Sequence, residues 1–493
     1  MPVRNPMMRN DTFSIFSVLV GSAKQWPDRT AVIDEYGILD YKTLLAETER
    51  VARVLAGLGL RRGDGAAVQA RNSRGFFIAV FAAVRCGATV MPMAHTLVAA
   101  EREAMLLRTP IHVVITDNEC ARDFAGPGKE VAIQGVPPFY FHATGKTRNR
   151  RIVDQVPDAA FVRYTSGTTG VAKGVVLSHR GVHDRITAAN RGLRLTEEDA
   201  VLFVLPMAFH FYVSIILYLS AGAVIVIARD HAAASLAEMI ARHRVTFLYA
   251  SPLHYRMLIA ARPPAENLET LRLAVSTSTG LSREIAEQFR VNFGMRITQA
   301  YGIIEVGLPI INFPDATGNP QAIGRPLPDY EVAILDDAGD RLEPGTTGHL
   351  AVRGPGMFSA YLDPFIRREE VLVRGWFMTG DMASQEMDGT VTVRGRKKSM
   401  INVCGEKVFP EEVESVLNEH RDVAESRVYG VSHPRMGETV HAQVVPAENA
   451  LPDAEELIGF ARARLSPFKI PQQIFFVAQI EKTSSGKACR RGA

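Results

Sequence analysis

Cysteine and tryptophan are scarce in this chain of 493 residues, which has four of the first and two of the second. The cysteines, Cys86, Cys120, Cys404 and Cys489, are scattered and never fall at C-x-x-C spacing. That excludes a disulfide framework or a cysteine zinc site and points to reduced thiols in a cytoplasmic protein. An excess of charge of one sign is also missing: the net charge is +3. Overall balance therefore calls for no nucleic-acid or membrane-surface partner, and any bound anion is expected to be small. A long apolar run is lacking too. The longest, Tyr212 to Ala228, is broken by Ser214, Ser220 and Gly222, and reads as a buried helix leading into a strand instead of a membrane span. Met1 to Ser14 carry Arg4, Arg9 and Asp11 without an apolar core, so no signal peptide is expected. No internal repeat or low-complexity segment stands out.

What is present is ordinary globular composition, 47% hydrophobic and 22% charged, in a chain too long for a single core. Tyr41 to Leu58 and Gly75 to Cys86 have helical periodicity, while Gly65 to Gln69 and Ala88 to Met91 read as strands. Thr246 to Tyr249, Leu271 to Val275 and Met295 to Thr298 are further strand candidates, each followed by a polar or glycine-containing turn. This alternation favours an α/β fold with largely parallel sheets, whose ligands sit at such turns. Asp123 to Arg151 reads as an irregular connection. After Pro326 the pattern changes to short strands and turns (Glu331 to Leu335, Asp336 to Gly339, His349 to Arg353), the mark of a small β subdomain over about 326–394. From Gly395 a compact tail carries helices at Pro410 to Glu419 and Asp453 to Leu465. We expect a large N-terminal domain of mixed sheets flanked by helices (1–394) and a small mobile α+β C-terminal domain (395–493).

The richest stretch is Tyr164-Thr-Ser-Gly-Thr-Thr-Gly-Val-Ala-Lys-Gly174, between the apolar runs Ala159 to Val162 and Val175 to Leu177. Strand, polar loop, strand is the simplest reading. Gly167, Gly170 and Gly174 allow close backbone approach, and Thr165, Ser166, Thr168, Thr169 and Lys173 supply the donors a polyphosphate needs. An ordinary hairpin turn rich in glycine and threonine is the alternative. It is not a Walker A loop, which would require Gly at 172 and Ser or Thr at 174, where the chain has Ala172 and Gly174.

Four more stretches follow in order: Gln299-Ala-Tyr-Gly-Ile-Ile-Glu305, Trp376-Phe-Met-Thr-Gly-Asp381, Gly395-Arg-Lys-Lys-Ser-Met-Ile401 and Lys482-Thr-Ser-Ser-Gly-Lys487. Together with the loop, this set resembles the adenylate-forming superfamily of acyl-CoA synthetases, free-standing adenylation domains and luciferases. The resemblance extends from about Trp26 to the C-terminus. It implies attack of a carboxylate on the α-phosphate of ATP, giving an acyl-adenylate and pyrophosphate. It further implies that the loop wraps the β- and γ-phosphates, that Glu305 holds Mg²⁺, and that Tyr301, beside Gly302, stacks on adenine. Asp381 and Arg396 would meet the ribose, and Ser278 and Thr279 would lie in the adenine wall. Lys487 would bridge carboxylate and α-phosphate, Lys398 would be the hinge, and Gly405 would line the pantetheine route, where small size matters. Ser484 and Lys487 also satisfy S-x-x-K, but no S-D-N or K-T-G follows. The sequence departs from the family at Ile304, where Thr or Ser is usual.

Leu205 to Tyr212 corresponds to the family's P-x-x-H region beside the acyl pocket, with either His210 or Phe209 in the histidine slot. Phe209 to Ser214 contains no Asp to hold an ammonium, which favours a non-amino acid. Phe209, Phe211, Tyr212, Ile303 and Leu308 suggest an aryl or medium-chain acyl group, with core packing as the alternative for some of them. The resemblance thus implies an acid–thiol ligase using ATP, Mg²⁺ and coenzyme A. Its rivals are delivery to a carrier-protein phosphopantetheine or an amine, and a non-catalytic nucleotide-binding relative. Arg394, Arg396, Lys397, Lys398, Arg490 and Arg491 could meet the coenzyme A nucleotide, and a solvated or carrier-facing patch reads identically. Cys404 reads as a small packing residue, and His179 and His183, four apart, as solvated helix positions.

Overall fold

The computed structural model describes residues 13–124, 126–165, 173–228, 230–313 and 319–481. Two nine-stranded sheets form the scaffold. In the first, six parallel strands run in the order Ile297–Ile303, Leu273–Ser276, Phe247–Ala250, Ala200–Phe203, Val224–Ile227, Thr30–Asp34, with antiparallel strands at both edges. In the second, Ala159–Tyr164, Thr89–Ala94, Gly65–Ala70 and Val113–Thr116 are parallel. Strands such as Ala200–Phe203 are buried at every residue, as parallel strands covered on both faces must be.

Between the sheets lie the helix His179–Leu193, which touches both, and the helical stretch from Met207 to Ser220. The helix Arg74–Arg85 is apolar nearly all round and buried through Val84, with Ser73 Oγ accepting from Phe76 N at its start. Its Phe76, Phe77 and Phe81 converge on Phe211, with ring centroids 5.3–6.0 Å apart. Burial of each such ring contributes about 1.5–3 kcal/mol.

A four-stranded antiparallel sheet holds Glu331–Leu335, Gly348–Arg353, Phe377–Gln385 and Val391–Arg396, and sets Asp381 opposite Arg396. Not all of the region after Pro326 joins it: Ala360–Leu362 and Phe365–Arg367 extend the second large sheet beside Gly174–Ser178. The irregular connection expected over Asp123 to Arg151 likewise contains paired strands, Lys129–Val131 and Phe139–Ala143, because Phe139 and Phe141 have a core to enter.

Residues from Ile401 to Ala461 close a separate core around the helices Pro410–Leu417 and Ala454–Arg462 and a five-stranded sheet. The start of the first of these helices sits against Gly395: a Cβ there would lie 2.5 Å from Glu411 Oε2 and 2.9 Å from Phe409 Cβ. Among the described residues no helix is long and apolar enough to cross a membrane.

Candidate active site

Three strands from two sheets build one corner of the site. Tyr301, on Ile297–Ile303, donates its hydroxyl to Asp381 Oδ2 at 2.5 Å, and Arg396 Nε meets Asp381 Oδ1 at 2.8 Å. Asp381 is 5% exposed, so the pair of donors compensates a buried carboxylate. Burial, then the Asp381 charge, pushes the Tyr301 phenol well above its usual range, keeping it a donor. Burial opposes the Arg396 charge, but Asp381 together with Tyr301, Glu305 and Glu411 outweighs it and the pKa is raised. A carboxylate has about four acceptor positions, so two remain for vicinal hydroxyls such as those of a ribose. The hydroxyl tether also fixes the plane of the Tyr301 ring, as a stacking platform requires. Gly302 beside it is exposed.

A second corner lies at the polar loop. Its ends are pinned by Thr165 N to Lys173 O at 3.0 Å and Lys173 N to Thr165 Oγ1 at 3.2 Å. Ser166, Gly167, Thr168, Thr169 and Gly170 lie outside the described residues, as does Lys487. Lys173 Nζ stands 4.5 Å from the Tyr361 ring centroid, and the Tyr361 hydroxyl donates to Glu305 Oε1 at 3.0 Å. Burial, then Glu305, raises the Tyr361 pKa. Tyr361 had no sequence signal, since it arrives on the strand that leaves the β subdomain.

The backbone around Glu305 is held from behind. Phe358 N donates to Glu305 O at 2.7 Å, and the fully buried Arg185 donates to Ile304 O (Nη1, 3.0 Å) and Gly356 O (Nε, 2.9 Å). Burial lowers the Arg185 pKa to about 10, leaving it charged at neutral pH. Ile304, 7% exposed, points its side chain into the core, so no hydroxyl reaches the phosphates from there. Glu305 keeps part of its surface open, and one of its oxygens is not taken by Tyr361. A half-buried hard oxygen near Lys173 fits Mg²⁺, which would neutralise phosphate charge when bound.

The third region is a cluster of aromatic side chains around His210. Phe209 and His210 close the short helix Met207–His210, and a π-helical stretch, Phe211–Ile215, follows. Such a stretch carries an extra residue per turn and shifts which side chains face the cleft. His210 lies deep between the sheets yet keeps part of its ring accessible, edge-on to Tyr249 (5.6 Å) and Phe203 (6.2 Å). Burial and the nearby Arg163 pull its pKa down to about 3, so it is a neutral imidazole. Phe209 is half-buried under the Arg163 guanidinium, 5.0 Å from its ring. Both candidates for the histidine slot therefore keep accessible surface. Ile303 also keeps accessible surface. The expectation for Phe211 is corrected: it is fully buried in the phenylalanine cluster, and Tyr212 and Leu308 are core residues as well. Arg163 and Tyr249 were not foreseen, although an arginine closing the apolar run Ala159 to Val162 was a signal.

Ser278 and Thr279 lie exposed after the strand Leu273–Ser276, with Ser278 at φ 77°, while Ser276 and Thr277 are buried. Lys398 is exposed in the turn Lys397–Ser399 directly after Arg396. Of the basic residues near it, Lys397 is tied to Asp337 (2.6 Å) and Arg394 to Ser384 (3.0 Å). Gly405 and Cys404 form the two-residue tip of a hairpin, at φ 91° and 52°. A side chain at 405 would meet nothing within 4 Å, so the glycine answers to backbone conformation instead of to space. Cys404 is exposed, not a packing residue. His179 is not solvated, since its Nδ1 accepts from Ile15 N at 3.2 Å, whereas the His183 side chain is 38% exposed and lies edge-on to Phe13.

Fold and site together define an adenylate-forming enzyme. The AMP-binding enzyme family matches residues 19–362, and the AMP-binding enzyme C-terminal domain matches residues 412–487. The chain belongs to this family and is an AMP-forming ligase of the acyl-CoA synthetase type. It is 30% identical to a fatty acid–[acyl-carrier-protein] ligase of Streptomyces coeruleorubidus (95% of this chain, 93% of the other). It is also 30% identical to an indoleacetate–CoA ligase of Aromatoleum aromaticum (94% of each). The o-succinylbenzoate CoA synthetase of Bacillus subtilis, solved with its acyl-adenylate intermediate, superposes with a TM-score of 0.83 at 25% identity over 96% of each chain.

Proposed function

We propose that the chain adenylates a non-amino carboxylic acid, aryl or medium-chain, and passes the acyl group to coenzyme A. The observation that carries this reading is the adjacency of three parts: the Tyr301–Asp381–Arg396 clamp, the Lys173–Tyr361–Glu305 corner and the aromatic cleft of Phe209 and His210. A carboxylate oxygen attacks the α-phosphorus, and pyrophosphate leaves. The thiol sulfur then attacks the acyl carbon, AMP leaves, and the thiol proton passes to solvent. Arg396 and Asp381 orient the nucleotide, Glu305 holds the metal, Lys173 and the loop neutralise the pyrophosphate, and neutral His210 offers a hydrogen bond without adding charge.

Residues 395–493 act as a mobile lid hinged near 396–398, presenting Lys487 for adenylation and the thiol route, with Gly405, afterwards. The relatives named above act with coenzyme A or an acyl carrier protein, so a carrier-protein phosphopantetheine is the second acceptor to test. A reducing cytoplasm suits the unpaired Cys86, Cys120 and Cys404.

Pyrophosphate exchange over a panel of acids, with acyl-CoA formation followed in parallel, tests the reading. Exchange without acyl-CoA moves the acceptor to a carrier or an amine, and no exchange with any acid leaves a nucleotide-binding relative. Lys487→Ala is expected to abolish exchange while sparing thioester formation from supplied acyl-adenylate; equal loss of both contradicts its role.

A further inference from the structure

Arg163 places a full positive charge in the acyl cleft with no counter-ion among the described residues. Its Nε is buried and unbonded, the guanidinium makes no hydrogen bond to any described residue, and its contact is the face of Phe209. Strand alternation aims it there. On Ala159–Tyr164 it shares a face with Phe161, which packs on Phe211 and Tyr212, while Tyr164 turns the other way to Thr109 at 2.9 Å.

The field of this cation is felt on the acyl side of the site. It acts on His210, Tyr212 and Tyr249, whereas Tyr301, Tyr361 and Arg396 answer to Asp381 and Glu305. A half-buried cation without a partner among the described residues gains most from a ligand that brings an anion. The reacting carboxylate is a poor candidate, because its charge is lost once the mixed anhydride forms. A second carboxylate stays ionised through both half-reactions. A guanidinium stacked on Phe209 leaves its edge for bidentate pairing with such a group, and the same charge repels the ammonium of an α-amino acid.

We propose that Arg163 is the specificity-determining residue of the acyl cleft and binds a second carboxylate, so that the substrate is a dicarboxylic acid activated at one end and held at the other. This rests on the adenylating reading above. The test uses the full-length protein with ATP, Mg²⁺ and matched pairs of acids: pentanoate with glutarate, octanoate with suberate, benzoate with terephthalate. In the best pair the diacid is expected to exceed the monoacid in kcat/KM by about 10- to 100-fold, the range of one charge-assisted pair.

Arg163→Met is expected to raise the KM for that diacid by the same factor and hold kcat within about threefold. It should leave the monoacid level or improved, and Arg163→Lys should retain part of the preference. Melting temperatures check that both variants fold, and the wild-type preference stands as a test without them. A wild type that favours the monoacid in every pair overturns the proposal. So does equal loss of both acids in Arg163→Met, which would put the guanidinium on the reacting carboxylate. If no acid supports exchange, the adenylating reading fails and calorimetry decides this one. Diacid binding that Arg163→Met abolishes sustains it, and absence of diacid binding to the wild type overturns it.

Discussion

Replacing Tyr301 with Phe removes one hydroxyl and keeps the ring, which isolates the tether between the proposed stacking platform and the proposed ribose acceptor. The lost bond is the 2.5 Å donation to Asp381 Oδ2, a carboxylate only 5% exposed whose other oxygen keeps Arg396. A hydrogen bond to a buried charged group contributes about 1.5–3 kcal/mol. Because Arg396 remains and relaxation recovers some of the loss, about 1–2 kcal/mol is expected to appear as weaker nucleotide binding, roughly 5- to 30-fold in KM for MgATP. The value of kcat should stay within about threefold, since the hydroxyl is remote from the reacting carboxylate.

Pyrophosphate exchange at saturating acid with varied MgATP measures this, and Asp381→Asn in a double-mutant cycle should return a coupling of similar size. The opposite sign is informative. If Tyr301→Phe lowers the KM for ATP, the hydroxyl competes with the ribose for Oδ2 and is no tether. An unchanged KM would refute the placement of the nucleotide at this corner.

Four further outcomes are expected. Tyr361→Phe frees Glu305 Oε1 from its donor and should raise the Mg²⁺ needed for half-maximal exchange several-fold; an unshifted Mg²⁺ titration contradicts the pairing. Arg185→Met leaves the carbonyls of Ile304 and Gly356 without donors and should lower stability by about 2–4 kcal/mol in urea titrations, a loss under 1 kcal/mol arguing against it. Lys398→Pro stiffens the turn after Arg396 and should slow thioester formation at least about tenfold while sparing exchange; unchanged overall turnover removes the hinge. Burial, then His231, holds the His254 pKa down at about 4 against 6.5 for a free imidazole. The unfolded chain therefore binds more protons between those values, and stability falls as pH drops through 6.5. At pH 5 this is a loss of at most about 2 kcal/mol from this residue, a slope that His254→Gln should flatten in melts at pH 7 and 5.

Local order made much of this protein readable before any coordinates. The ordered motifs pointed to Glu305, Asp381, Arg396 and Tyr301 through their resemblance to a family, and the structure brings Tyr301, Asp381 and Arg396 into contact from three strands. The helix starts at Tyr41 and Pro410 were legible from local signals, periodicity in the one and a proline followed by acidic residues in the other. What could not be read is which neighbour faces the cleft. Phe209 and Phe211 are two residues apart with the same chemistry, yet one lines the cleft and the other fills the core, because the π-helical stretch between the sheets sets the rotation.

Tyr361 reached Glu305 only because its strand pairs with Gly174–Ser178 instead of staying in the β subdomain. Arg163 became meaningful once Phe209, His210 and Tyr249 were seen around it. Sequence by itself determined most element types, since periodicity and turn chemistry act between near neighbours, and its ordered motifs gave the reaction class through their resemblance to a family. Tertiary structure alone decided the packing and charge around the proposed acyl site, because those depend on which distant strands the chain brings into register.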